Sequence, residues 1–238
     1  MKKVIIIGAT SGIGRALAQL YAQNNCLVGI SGRRKSLLDS LQQEFPDNIV
    51  TECFDVTEND NIECIKNLTQ QLGGLDVLIY NSGYGEPSEY LDLEIDKNTT
   101  NINVNGFMEI VNFTFNYFVL EEKGQIAAIS SIAGIRGNSF APAYSASKAY
   151  MSIYMEGLYL KAKRLKLPIF ITDIQPGFVQ TKMAKSEKQF WVSSPEKAAL
   201  QIYKAIENKK RRAYITRRWW LIAKLMHMMP MYFYKRIG

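Results

Sequence analysis

Val4-Ile5-Ile6-Ile7-Gly8-Ala9-Thr10-Ser11-Gly12-Ile13-Gly14 decides the fold. Four apolar β-branched residues read as a buried first strand, and the small residues after them as a turn. Ala16, Leu17, Leu20 and Tyr21 follow at helical spacing. Strand, glycine turn and helix in that order let the backbone approach a pyrophosphate closely, while the helix N-terminus supplies free N–H groups and positive dipole. The apolar run stops at a glycine after four residues, so it is not the core of a signal peptide.

Working outward, the pattern repeats. Strands are expected at 27–30, 49–54, 75–80, 125–130, 168–174 and 213–216. Helices are expected at 35–44, 59–72, 99–120, after Tyr144, and at 195–208, the last opened by Ser194 as N-cap and Pro195 in its first turn. Such alternation implies a single-domain, Rossmann-type, doubly wound parallel sheet of about seven strands with helices on both faces. The domain spans 1–216, and 217–238 form a basic, apolar helical tail.

The chain has 238 residues, 47% hydrophobic and 21% charged, which suits one globular α/β core without disorder. Its formal charge of +7 is unevenly placed. Nine of the 29 Lys and Arg lie after residue 208 with no Asp or Glu among them, so the first 208 residues carry 20 basic against 22 acidic side chains. A nucleic-acid reader would show its basic face on the domain itself. Cys26, Cys53 and Cys64 are odd in number and lack metal-ligand spacing, as expected of reduced thiols in the cytoplasm. With His227 as the only histidine, neither a Ser/His/Asp triad nor a multi-histidine metal site has its parts.

Two other stretches carry chemistry. Ser130 to Lys148 holds Tyr144-x-x-x-Lys148, which on a helix puts phenol and ammonium on one face. A cation there should pull the Tyr144 pKa down from about 10 and make it a proton donor. At the end of the second strand stand Arg33 and Arg34, where an NAD site would want an acid for the ribose hydroxyls. Two arginines favour a 2′-phosphate, so NADP(H) is expected over NAD(H).

These motifs together resemble the short-chain dehydrogenase/reductase family over nearly the whole chain: Gly8-x-x-x-Gly12-x-Gly14, Asp55-Val56, Asn81-x-Gly83, Asn103-Val104-Asn105-Gly106, Ser131, Tyr144-x-x-x-Lys148, and Pro176-Gly177 followed by Thr181. The resemblance implies that Tyr144 is the general acid, that Lys148 lowers its pKa and binds the nicotinamide ribose, and that Ser131 holds the substrate oxygen. It implies that Asn103 interrupts its helix and holds a water of the proton path. Ser130 is the competing serine, set aside by the family offset. The same resemblance places Gly8, Thr10, Ser11, Gly12, Ile13 and Gly14 along the cofactor, with Arg33 and Arg34 at its 2′-phosphate. It puts Asp55 and Val56 at the adenine, Asn81 and Gly83 beside the adenosine ribose, and Pro176, Gly177 and Thr181 around the carboxamide. Ile7 stands where the family usually has Thr, and Tyr80-Asn81-Ser82-Gly83 where it often has Asn-Asn-Ala-Gly, which puts the stiffness of that corner in question.

An NADPH-dependent reduction of a carbonyl, or its reverse, is therefore expected, on an apolar substrate gripped by the loop from 178 to 193 with Phe178, Val179, Met183, Phe190 and Trp191. The alternatives are a 3-oxoacyl-thioester reductase and a non-catalytic dinucleotide-binding sensor or scaffold recruited through its tail. A homodimer is expected from the apolar surplus on the Tyr144 helix. For the tail three readings stand: an anchor on anionic lipid through 217–236, an element packed on a partner subunit, or a lid. Its apolar stretch is too short for the ~20 residues of a membrane span. The expected location is the cytoplasm, with the inner face of a membrane as the variant that an anchor would imply.

Overall fold

The computed structural model describes residues 1–180 and 191–236. Among them, seven parallel strands form one sheet: β1 (Lys3–Ile7), β2 (Leu27–Gly32), β3 (Ile49–Cys53), β4 (Val77–Tyr80), β5 (Gly124–Ile129), β6 (Ile169–Pro176) and β7 (Arg212–Ile215). Their order is β3-β2-β1-β4-β5-β6-β7. The first strand explains the architecture. Val4 and Ile6 enter one core with residues of helices α1 (Gly12–Gln23), α2 (Lys35–Glu44) and α7 (Pro195–Glu207). Ile5 and Ile7 enter the other with α3 (Asn61–Leu72), α5 (Phe107–Leu120) and α6 (Pro142–Leu165). Side chains alternate across a strand, so an unbroken apolar run is stable only where both faces are covered.

The order reverses at β1, whose neighbours are β2 and β4, and a doubly wound sheet opens a crevice at that point beyond the strand ends. Gly8 and Asn81 stand there, directly after β1 and β4.

One element differs from expectation. The helix expected over 99–120 begins earlier and is not uniform: α4 (Leu93–Thr100) leads into a π-helical turn, Asn101–Gly106, before α5. Asp92 sets the start by accepting hydrogen bonds from the backbone N–H groups of Glu94 and Ile95. The chain from 217 onward folds into α8 (Trp219–Met228) and a short α9 (Met231–Tyr234).

Candidate active site

The glycine turn is built to stay open. Gly8 has φ +85°, and a Cβ on Gly14 would lie 2.2 Å from the Gly8 carbonyl oxygen, so side chains are barred from the corner. Asn81 fastens that corner by donating from Nδ2 to the Gly8 oxygen at 2.7 Å, a brace that does not need the hydroxyl Ile7 lacks. Ser11, the N-cap of α1, is extended and makes no side-chain capping bond, and no acid sits in the first turn of the helix. The amides around Gly12, Ile13 and Gly14 are thus left for an anion. The residues present fit a dinucleotide diphosphate.

Arg34 closes one side of this cradle. Its Nε donates to Thr10 Oγ1 at 3.1 Å, and its Nη2 to Thr10 and to Ser11 Oγ at 2.9 Å. Arg33, largely exposed, pairs with Asp55 at 3.3 Å, and Asp55 also accepts from the Thr57 amide and hydroxyl. Val56 is buried, and a Cβ on Gly106 would stand 2.3 Å from its carbonyl oxygen, so the π-turn packs directly on it. Gly83 lies in the loop after β4, and Pro176 and Gly177 lie at the end of β6. Thr181, Met183 and Phe190 lie outside the described residues.

Tyr144 and Lys148 sit one turn apart near the start of α6. Tyr144 keeps part of its surface accessible, whereas Lys148 is buried. Ser131, N-cap of a 3-10 turn (Ile132–Ile135), accepts the Ala133 amide at 3.1 Å and stands beside the Tyr144 phenol. Ser130 goes the other way, donating to Asp173 and to the Ile174 oxygen. Adjacent residues of an extended segment face opposite sides, so only Ser131 reaches Tyr144. Asn103 lies in the π-turn, wholly buried. Its Oδ1 accepts the Tyr84 amide at 2.9 Å, and its Nδ2 donates to the Tyr84 oxygen at 2.7 Å and to Ser147 Oγ at 2.9 Å. It therefore ties the loop after β4 to the Tyr144 helix.

One electrostatic expectation is corrected. Lys148 does not pull the Tyr144 pKa down: burial pushes the phenol above its ordinary value, and the neighbouring Ser131 is what opposes the rise. The Lys148 ammonium lies 5.7 Å from the ring centroid and donates instead to the Ile129 oxygen at 3.0 Å. Its own pKa is pushed down to about 8 by burial, against a raising pull from Asp173.

Two contributors were missed in the sequence. Gly85 lies flat against the Tyr144 ring, where a Cβ would come within 2.3 Å of Cδ2; only its place beyond Asn81-x-Gly83 hinted at a role. Asp173 is buried on β6 and gathers Ser130, Ser152, Gln175 at 2.8 Å and Arg212 at 3.2 Å. An acid in the middle of the strand Ile-Phe-Ile-Thr-Asp-Ile-Gln-Pro was the available signal.

The tail borders the same site. Trp219 is 2% exposed and covers Gly177, where a Cβ would meet its Nε1 at 2.0 Å; its ring stands edge-on to Phe178 with centroids 5.4 Å apart. Arg136, just past the 3-10 turn, donates to the Met226 and Met229 oxygens at 3.0 and 2.7 Å, which caps the C-terminus of α8 with a cation. Tyr234 donates to the Gly137 oxygen at 2.7 Å.

With this cradle and this Ser, Tyr and Lys cluster in place, the chain belongs to the short-chain dehydrogenase family, whose model, described as short chain dehydrogenase, matches residues 2–190. It is an oxidoreductase of that family. It is 33% identical over 188 residues to an uncharacterized oxidoreductase of Myxococcus xanthus, covering 76% of this chain and 74% of that one. It is 30% identical over 190 residues to a 3-oxoacyl-[acyl-carrier-protein] reductase of Thermotoga maritima, with 77% and 76% covered. In fold it is similar to a short-chain dehydrogenase from Sphingobium yanoikuyae solved in complex with NADPH, with a TM-score of 0.82 at 19% identity and 97% of each chain covered.

Proposed function

We propose that this oxidoreductase is an NADP(H)-dependent reductase of apolar carbonyl compounds, working through Tyr144, Lys148, Ser131 and Asn103. The observation that carries the reading is that Ser131 and the Tyr144 phenol meet, one turn of α6 from the buried Lys148.

A reduced nicotinamide, when bound, supplies hydride to the carbonyl carbon. Tyr144 then gives its proton, which the phenol carries at neutral pH, to the carbonyl oxygen. Ser131 donates a hydrogen bond to that oxygen as negative charge develops on it. Lys148, whose ammonium form Asp173 favours, is assigned to the hydroxyls of the nicotinamide ribose. Asn103 positions rather than reacts: through Tyr84 and Ser147 it fixes the loop and the helix that hold the Tyr144 ring. Asp55, Val56, Asn81, Gly83, Pro176, Gly177 and Thr181 are assigned to the dinucleotide with the glycine turn.

The NADP(H) preference is supported by Arg33 and Arg34, since β2 ends without an acid and two guanidinium groups stand beside Thr10, Ser11 and Asp55. It is also in line with the NADPH in the S. yanoikuyae structure. A carbonyl and alcohol panel read at the nicotinamide absorbance with both cofactors tests the whole. NADPH should be favoured, and Arg34→Ala should raise its KM about tenfold or more while leaving that of NADH nearly unchanged, the scale of one charge-assisted hydrogen bond. Equal use of the two cofactors would remove the preference.

The relative from T. maritima favours a second reading within the class, reduction of a 3-oxoacyl thioester, which the same panel decides. A homodimer through α5 and α6 is part of the proposal, supported by exposed Met108, Ile153 and Leu160; a monomeric mass in solution overturns it.

A further inference from the structure

A helix on a protein surface ordinarily turns its polar side to water. α8 does not. Trp219 and Ala223 face inward and are buried, yet the opposite side presents Trp220, Leu221, Leu225 and Met228 at 45–80% exposure. α9 adds Tyr232 and Phe233, each more than half exposed. Cations border these groups: Lys224 Nζ lies 4.5 Å from the Trp220 ring centroid and Lys235 Nζ 4.9 Å from that of Tyr232. Arg217 and Arg218 precede the N-terminus of α8, where the helix dipole opposes a positive charge, so helix stability does not account for them.

We propose that α8 and α9 form a docking surface for a bilayer containing anionic lipid. The apolar side chains would enter the acyl boundary, with Lys, Arg, Trp and Tyr at headgroup depth. The charge decides the occupant, for no Asp or Glu follows residue 208. A second copy seated two-fold on this face would bring the same cations against themselves, whereas an anionic surface neutralises them. Among the described residues no helix is long and apolar enough to cross a membrane, so the attachment is peripheral.

The tail is tied to the site by Arg136, just beyond Ser131 in sequence, and by Trp219 over Gly177. Docking would therefore set the catalytic cleft at the lipid surface, where an apolar carbonyl compound dissolves. This last step rests on the proposed reductase function; the docking does not.

Co-sedimentation of the full chain with vesicles tests it. The protein should pellet with phosphatidylcholine–phosphatidylglycerol vesicles and stay in solution with phosphatidylcholine alone. Lys224→Gln should weaken binding about fivefold, the effect of one charge near an anionic surface. Leu221→Glu with Leu225→Glu should abolish it, leaving Tm and turnover of a water-soluble carbonyl unchanged. Equal partitioning of the wild-type chain and the double variant overturns the proposal, as does equal binding to both vesicle types. A lower solution mass for the double variant without lipid also overturns it, by making the face a contact between copies. A chain that pellets but reduces nothing refutes the reductase reading and leaves the docking in place.

Discussion

Around Tyr144 the protein buries what water would solvate, and along α8 it exposes what water would expel. Lys148, Asn103, Asp173, Ser130 and Ser152 are all buried and all hydrogen-bonded, whereas Trp220, Leu221, Leu225 and Met228 are exposed, Trp220 with the Lys224 ammonium over its ring. Each arrangement costs free energy in the isolated fold: desolvation in the first case, exposed apolar area in the second. Neither is what stability alone would select. The first makes sense when a carbonyl oxygen must be protonated, and the second when a surface outside the molecule completes the burial. The same chain thus shows two departures from a polar outside and an apolar inside, with different chemistry behind each.

The comparison can be broken at three strengths. The largest effect is expected at the Tyr144 phenol, the proposed acid: Tyr144→Phe should lower kcat by about 10³-fold with NADPH binding retained in a fluorescence titration. Activity within tenfold of the wild type would remove Tyr144 as the acid. Next comes the seam between the two regions. Trp219→Ala strips the cover from Gly177 and should cost about 3 kcal/mol, or roughly 6–12 °C in Tm for a chain of this size. An unchanged melting curve would mean that the tail is not seated on the domain. The smallest effect sharpens the catalytic side. The Asp173 charge favours the ammonium form of Lys148, so Asp173→Asn should drop the lysine below its value of about 8. The cation would then be lost at lower pH, and the alkaline limb of kcat/KM should move acidward by about a unit. A lowered kcat with an unmoved limb would reduce Asp173 to a structural role.

Legibility in the sequence followed the range of the forces involved. The sheet was readable because β1 and its successors are short apolar runs whose period is local, and Tyr144 and Lys148 were readable because a helix fixes their spacing over one turn. Ser131 could be separated from Ser130 only through the family offset, because the alternation of an extended segment says that one of the two faces the site without saying which. The start of α4 was invisible because Asp92 caps a helix without an apolar stripe, and the π-turn at 101–106 depends on the packing of Gly106 against Val56. The sign of the Tyr144 shift was misread because i,i+4 spacing gives a face, not a direction: Lys148 turns to the Ile129 oxygen, a contact set by the sheet. Asp173 and Gly85 act through residues far away in sequence, which no local pattern encodes. The seat of Trp219 on Gly177 joins positions 42 apart and belongs with them.

Ribosomal synthesis suits the strand order. As the chain grows from its N-terminus, β2 and then β3 can add beside β1 on one side, and β4, β5, β6 and β7 can add in turn on the other. Every strand arrives at a free edge, and none must open a pair already made. The edge of β6 stays available until Arg212–Ile215 emerges, a brief window in which a nascent sheet could capture a stranger. α8 and α9, with their exposed apolar side chains, follow immediately, so that surface meets the cell only when the sheet behind it is complete.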